Sequence, residues 1–136
     1  MTTTVINLKG HKAEFGPRLE HAPTDLVYVG RRMTMGGWNL PAHPLANPHT
    51  LKAHGTPEAA VAAYIRHLLN RPDLLDQAAA LEGKALACWC TPAICHAHAI
   101  GMYADTRSRD RLTSYAADLE RAAGRAEQTL FARLAT

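Results

Sequence analysis

The sequence predicts a small α/β domain: a short, mainly parallel sheet in two or three layers, finished by a long C-terminal helix. Three features carry this prediction. Three brief apolar runs have strand composition, the last two are joined by a segment of helical periodicity, and the final stretch repeats apolar residues every three or four positions. Parallel strands need a long crossover, and a helix is its usual form.

In TTTVINL, Val5, Ile6 and Leu8 make a first strand, and LVYVG at 26–30 makes a second, ended by Gly30. Between them the pairs Gly16-Pro17 and Ala22-Pro23 predict loop in place of helix. Residues 31–56 read as loop throughout, and loops of that length inside a compact domain are usually functional. Trp38, Leu40 and Leu45 give this one apolar anchors, so an ordered binding loop is expected. Thr56-Pro57-Glu58 is a helix start, threonine serving as cap and proline fitting the first helical position. Val61, Tyr64, Ile65, Leu68 and Leu69 then share one buried face. Pro72 breaks that helix, and PDLLDQAAALEG forms another ended by Gly83. KALACW at 84–89 is the central strand. A helix opening at Thr91 or Pro92 runs through CHAHAIGMYADTR. The last spans Ser108 to Thr136, with Leu112, Tyr115, Leu119, Ala122, Ala126, Leu130 and Leu134 as its stripe. Residues 1–106 are thus read as the core domain, and 107–136 as an amphipathic helix packed on the core or at a homodimer seam.

At 136 residues one domain can bury a core without disulfide staples. The net charge of +3 and pI near 8.9 suit an anionic ligand but fall short of the dense basic stripe of a dedicated DNA-binding protein; nucleic acid stays an open partner. No run approaches the roughly 20 apolar residues that cross a bilayer, and MTTTVINLKGHK lacks a signal-peptide layout. The expected compartment is the cytoplasm, with no membrane partner. There an odd cysteine count points to thiols or metal ligands over bridges.

All three cysteines fall in CWCTPAICHAHAI at 88–100, beside His96 and His98. One reading is a metal centre on Cys88, Cys90, Cys95 and His98, zinc before an iron–sulfur cluster. The C-x-C spacing counts against it, a strand continuing to Cys90 being expected to turn the two thiols to opposite faces. The other reading is a reactive thiol. A helix starting near Pro92 would place Cys95 in its first turn, where backbone N–H groups lower a thiol pKa, with His96 beside it as proton acceptor. The bland reading is core packing, strongest for Cys88 in ALACW; Trp89 is read as core or loop cover and His98 as a surface residue.

Two further features converge on the carboxyl ends of the strands, where α/β proteins bind ligands. Gly30-Arg31-Arg32 puts two guanidinium groups at a strand end, suited to gripping phosphate or carboxylate. Asn47-Pro48-His49 offers a proline-fixed turn that aims an amide and an imidazole.

Taken together, VYVGRR, Trp38, LANPH, AYIRHLL and GKALACWCTPAICH, within residues 3–104, resemble the domain-of-unknown-function family 4326, spread through phages and bacteria. The resemblance implies a Rossmann-like fold and some tie to nucleotides or nucleic acid, although fold alone does not dictate chemistry. It names no established activity. The chain departs from the family pattern in three places: Ala97-His98 stand where Gly-Asp is usual, His49 where Phe follows Asn-Pro, and Ala46 where Gly precedes it. Either this chain binds without turnover, or His98 and His49 take over for the missing carboxylate.

The combined expectation is a binding domain, with catalysis open, for a nucleotide-like or other phosphate-bearing small molecule. Gly30, Arg31, Arg32, Trp38, Asn47, His49, Cys90 and Thr91 hold it, and Cys95 and His96 are the candidates for nucleophile and general base. The alternative is a metal-stabilised interaction module for nucleic acid or a protein.

Overall fold

The computed structural model describes residues 2–90 and 93–135, the side chains of 126, 127, 129–131 and 135 excepted. The chain runs β1 (Thr4–Asn7), α1 (Lys12–Phe15), β2 (Leu26–Tyr28), a 3₁₀ turn (Met35–Gly37), α2 (Leu51–His54), α3 (Pro57–Leu69), α4 (Pro72–Ala79), β3 (Ala85–Cys88), α5 (His96–Thr106) and α6 (Arg109–Ala135). The sheet is parallel with order β1-β3-β2, pairing Thr4 with Ala85 and Asn7 with Cys88 on one side, and Leu26 with Ala85 and Tyr28 with Ala87 on the other.

Period-two alternation divides the strand residues between two apolar clusters. Leu86, Cys88, Val5 and Val27 face a core shared with all four long helices, including Val61, Tyr64 and Ile65 of α3, Leu74 of α4, Ile100 of α5 and Leu112 of α6. Ala87, Tyr28, Ile6 and Leu26 face the other way, against Leu8, Phe15, Leu40 and Trp38. That second face is covered by α1 and irregular chain, so only one face of the sheet carries packed long helices.

Several boundaries differ from the sequence reading. HKAEF forms a single helical turn, closed by Gly16 at φ 86. The segment expected to be loop throughout holds the 3₁₀ turn and α2, whose cap is Thr50 accepting from the Ala53 amide at 3.0 Å. Leu40 and Leu45 are buried as anchors. Helix α5 starts at His96, not near Pro92, and Cys95 is its N-cap. On α6, Leu112, Ala116 and Leu119 are buried, whereas Leu134 is exposed; the expected stripe is therefore core only in its first part, and the side chains of Ala126 and Leu130 lie outside those described. Among the described residues no helix is long and apolar enough to cross a membrane.

Helix α3 starts as its sequence dictates, the Thr56 hydroxyl accepting from the Ala59 amide at 3.1 Å, a cap worth about 1 kcal/mol. Its Tyr64, fully buried, donates to the Leu45 carbonyl at 2.6 Å and pins the long loop to the core. Tyr64→Phe leaves that carbonyl without its partner and is expected to lower unfolding stability by about 1–3 kcal/mol in urea titration. An unchanged midpoint and slope would show that the loop is held by Leu45 packing alone.

Candidate functional site

Where β2 and β3 stop, their last residues and the starts of α3 and α5 enclose a cavity of about 460 Å³, within the size range of small-molecule sites. Gly30 and Arg31 follow β2, Cys88 ends β3 with Trp89 and Cys90 after it, Ala60 and Val61 come from α3, Cys95 and His96 from the cap and first residue of α5, and Asn47 and His49 from the long loop. Gly30 is required by the ring beside it, since a Cβ there would lie 2.5 Å from the Tyr28 hydroxyl. That hydroxyl accepts from Trp89 Nε1 at 3.0 Å and donates to the Arg31 carbonyl at 2.5 Å.

Arg31 clasps the long loop. Its Nε donates to the Asn47 carbonyl at 2.7 Å and its Nη2 to the His49 carbonyl at 3.2 Å. Asn47 completes the turn through its side-chain oxygen, which accepts the His49 amide at 2.8 Å. The His49 ring lies 3.0 Å from His54 Nε2 and edge-on to His67. Burial, then the two neighbouring imidazoles, hold its pKa below the ordinary value.

His96 is buried. Its Nε2 lies 2.7 Å from the Val29 carbonyl, which only accepts, so the proton sits on Nε2 and Nδ1 carries a lone pair 3.5 Å from Cys95 Sγ. Burial pushes this imidazole down to about 4. The ring is therefore neutral near pH 7.

The three cysteines line the same cavity, and the Cys95 thiol interacts with Cys88 and Cys90. Residues two apart share a face of a strand, so the expectation that C-x-C separates its thiols was mistaken in principle as well as in outcome. Cys88 and Cys95 are buried and Cys90 is exposed. The lowered pKa expected of Cys95 from its helix start is also corrected: its interactions with Cys88 and Cys90, then burial, push it up. Cys90 moves the opposite way, to about 7, because its thiolate accepts from Cys95 and lies near Arg31.

Of the residues read from sequence, Gly30, Arg31, Asn47, His49, Cys88, Cys90, Cys95 and His96 line this one cavity. Arg32 is exposed and off its wall. Trp38 sits on the other face of the sheet, edge-on to Trp89 at 5.2 Å. His98 accepts the Cys95 amide at Nδ1, 3.1 Å away, and so caps α5. Thr91 lies outside the described residues. Among the described residues no group of three or more His, Cys, Asp and Glu side chains is arranged to hold a metal ion. Sequence reasoning missed Tyr28; Trp89, read as core or loop cover, packs against the second cluster and also lines the cavity. The available signal was an aromatic residue two positions before a strand-end glycine, which places its ring over that glycine.

A profile described as a domain of unknown function, DUF4326, matches residues 16–106. An uncharacterized protein of Acanthamoeba polyphaga mimivirus is 39% identical over 64 residues, 47% of this chain and 48% of that protein. The match thus spans about half the length of that curated relative. No solved structure matches the chain.

Two measurements follow from these protonation states. Iodoacetamide is expected to alkylate Cys90 first, with a rate midpoint near pH 7, and to spare Cys88 and Cys95 until unfolding; a first adduct on Cys95 contradicts the assignment. As pH falls from 6.5 toward 4, the unfolded chain takes up a proton that the folded His96 refuses, so about 3 kcal/mol of stability is lost across that window and the contribution is flat below it. His96→Gln is expected to remove this part of the slope in chemical denaturation, and identical slopes for the two proteins would contradict it.

Proposed function

We propose, from the premise that the chain belongs to the DUF4326 family, that it binds a nucleotide-like, phosphate-bearing small molecule in the cavity at the carboxyl ends of β2 and β3. The observation that carries this reading is the position of Arg31 on the cavity wall, at the end of one parallel strand and next to another. A crevice outside the carboxyl ends of strands is where open α/β sheets take ligands. Loop carbonyls engage two of the five guanidinium N–H groups, which fixes the plane of the fork and leaves three donors for an anion.

The rest of the wall suits the other half of such a ligand. Met33, Val61 and Ile94 give the cavity an apolar lining against which a planar base packs. The Asn47–His49 turn, held by Arg31, closes the cavity from the loop side. If the bound molecule is turned over, Cys90 is the nucleophile that this wall offers, since its thiol is exposed and ionises near neutral pH. His96, neutral and with Nδ1 toward Cys95, serves as proton acceptor behind it.

Calorimetric titration with each of the common ribonucleoside monophosphates, ribose 5-phosphate and inorganic phosphate tests this. Binding of at least one nucleotide is expected, weakened at least tenfold, or about 1.4 kcal/mol, by Arg31→Ala. Arg31→Lys, which keeps the charge without the fork, is expected to recover little, and Arg32→Ala to bind as the unaltered protein does. Failure of every titrant, or equal affinity after Arg31→Ala, would overturn the proposal.

A further inference from the structure

The converging thiols form a second functional unit that ligand binding does not require. An exposed cysteine and a buried one that line the same cavity, the buried sulfur 3.5 Å from an imidazole nitrogen, are the arrangement of a thiol pair that exchanges with disulfides. We infer that Cys90 and Cys95 are a reversible dithiol site for small aliphatic disulfides, Cys90 attacking and Cys95 resolving.

The roles follow from access and from where each proton can go. Cys90 is the one cysteine of the three that is exposed, and Arg31 nearby favours the thiolate that attacks. Its sulfur displaces one half of the disulfide as a thiolate, and the other half stays on Cys90 as a mixed disulfide. Once Cys90 is in that bond it no longer accepts the Cys95 thiol as an anion would. The Cys95 proton then has His96 Nδ1 at 3.5 Å. That ring is oriented to receive it, because Nε2 already donates to the Val29 carbonyl at 2.7 Å. Cys95 sulfur, losing its proton to Nδ1, attacks Cys90 sulfur, the second half leaves as a thiolate, and the proton passes from the ring to that leaving group. Overall one small disulfide is reduced to two thiols while the protein gains one S–S bond. Cys88 also touches Cys95. It lies at the end of β3, paired with Asn7, whereas the His96 imidazole stands 3.5 Å from the Cys95 sulfur.

Oxidised glutathione and the full chain test this, with products trapped by acid and alkylation and mapped by peptide mass. The unaltered protein is expected to give a Cys90–Cys95 bridge with two equivalents of glutathione released. Cys95→Ser is expected to stop at glutathione on Cys90, and Cys90→Ser to slow the first step at least tenfold. His96→Gln is expected to leave the first step unchanged and slow the second at least tenfold. The unaltered protein alone decides the matter even if a variant fails to fold. A bridge to Cys88, a first adduct on Cys88 or Cys95, or a mixed disulfide that persists on the unaltered protein would each overturn the inference.

Discussion

The buried bond between His96 Nε2 and the Val29 carbonyl holds the site together. Val29 follows β2 directly and donates its own N–H to the Ala87 carbonyl of β3 at 3.2 Å, so one residue joins the central strand to the start of α5. An imidazole taken out of water without a partner would be costly, which makes this bond a condition for burying the ring at all. It also selects the tautomer. With the proton fixed on Nε2, the lone pair on Nδ1 faces Cys95, and the chemistry available to that cysteine is set by a contact one residue away.

Arg31 then divides the electrostatics. A fixed positive charge disfavours a second one, and it contributes to keeping His96 unprotonated, secondary to burial. The same charge favours an anion, and it contributes to lowering Cys90, secondary to the bond from Cys95. One guanidinium thus works with burial to leave a neutral base and an ionisable thiol on the same wall. Its position is not left to solvent: Tyr28 holds its backbone carbonyl and the Asn47 and His49 carbonyls hold its fork. The wall on one side of the cavity and the loop on the other are consequently a single hydrogen-bonded piece.

Much of this architecture was legible in the residues. Thr56-Pro57 and the spacing from Val61 to Leu69 specify α3 because cap, proline and periodicity agree, and the compact run ending at Cys88 specifies a buried central strand. That a cavity would open at the strand ends was legible for the same reason, since it follows from parallel connectivity. Short elements were not. A single turn such as Lys12–Phe15 or Leu51–His54 has too few positions to show a period, and only its closing glycine or capping threonine marks it. Nor could composition separate Arg31 from Arg32. Adjacent residues leave a strand end in different directions, and which one meets the loop depends on contacts sixteen and eighteen positions away.

The thiols carry the sharper lesson. A cysteine at a helix start is expected to ionise easily because free amides point toward it, yet that argument assumes the sulfur accepts hydrogen bonds and sees water. Cys95 is 1% exposed and interacts with two neighbouring sulfurs, so ionising it would cost the donation of its one hydrogen as well as solvation. The stabilisation it forgoes appears on Cys90, which accepts from it. Protonation in such a cluster belongs to the set, and the direction of each hydrogen bond decides which sulfur ionises. Because Cys88 ends β3, Cys90 follows two residues on and Cys95 caps α5, the set is assembled where β3 ends and α5 begins.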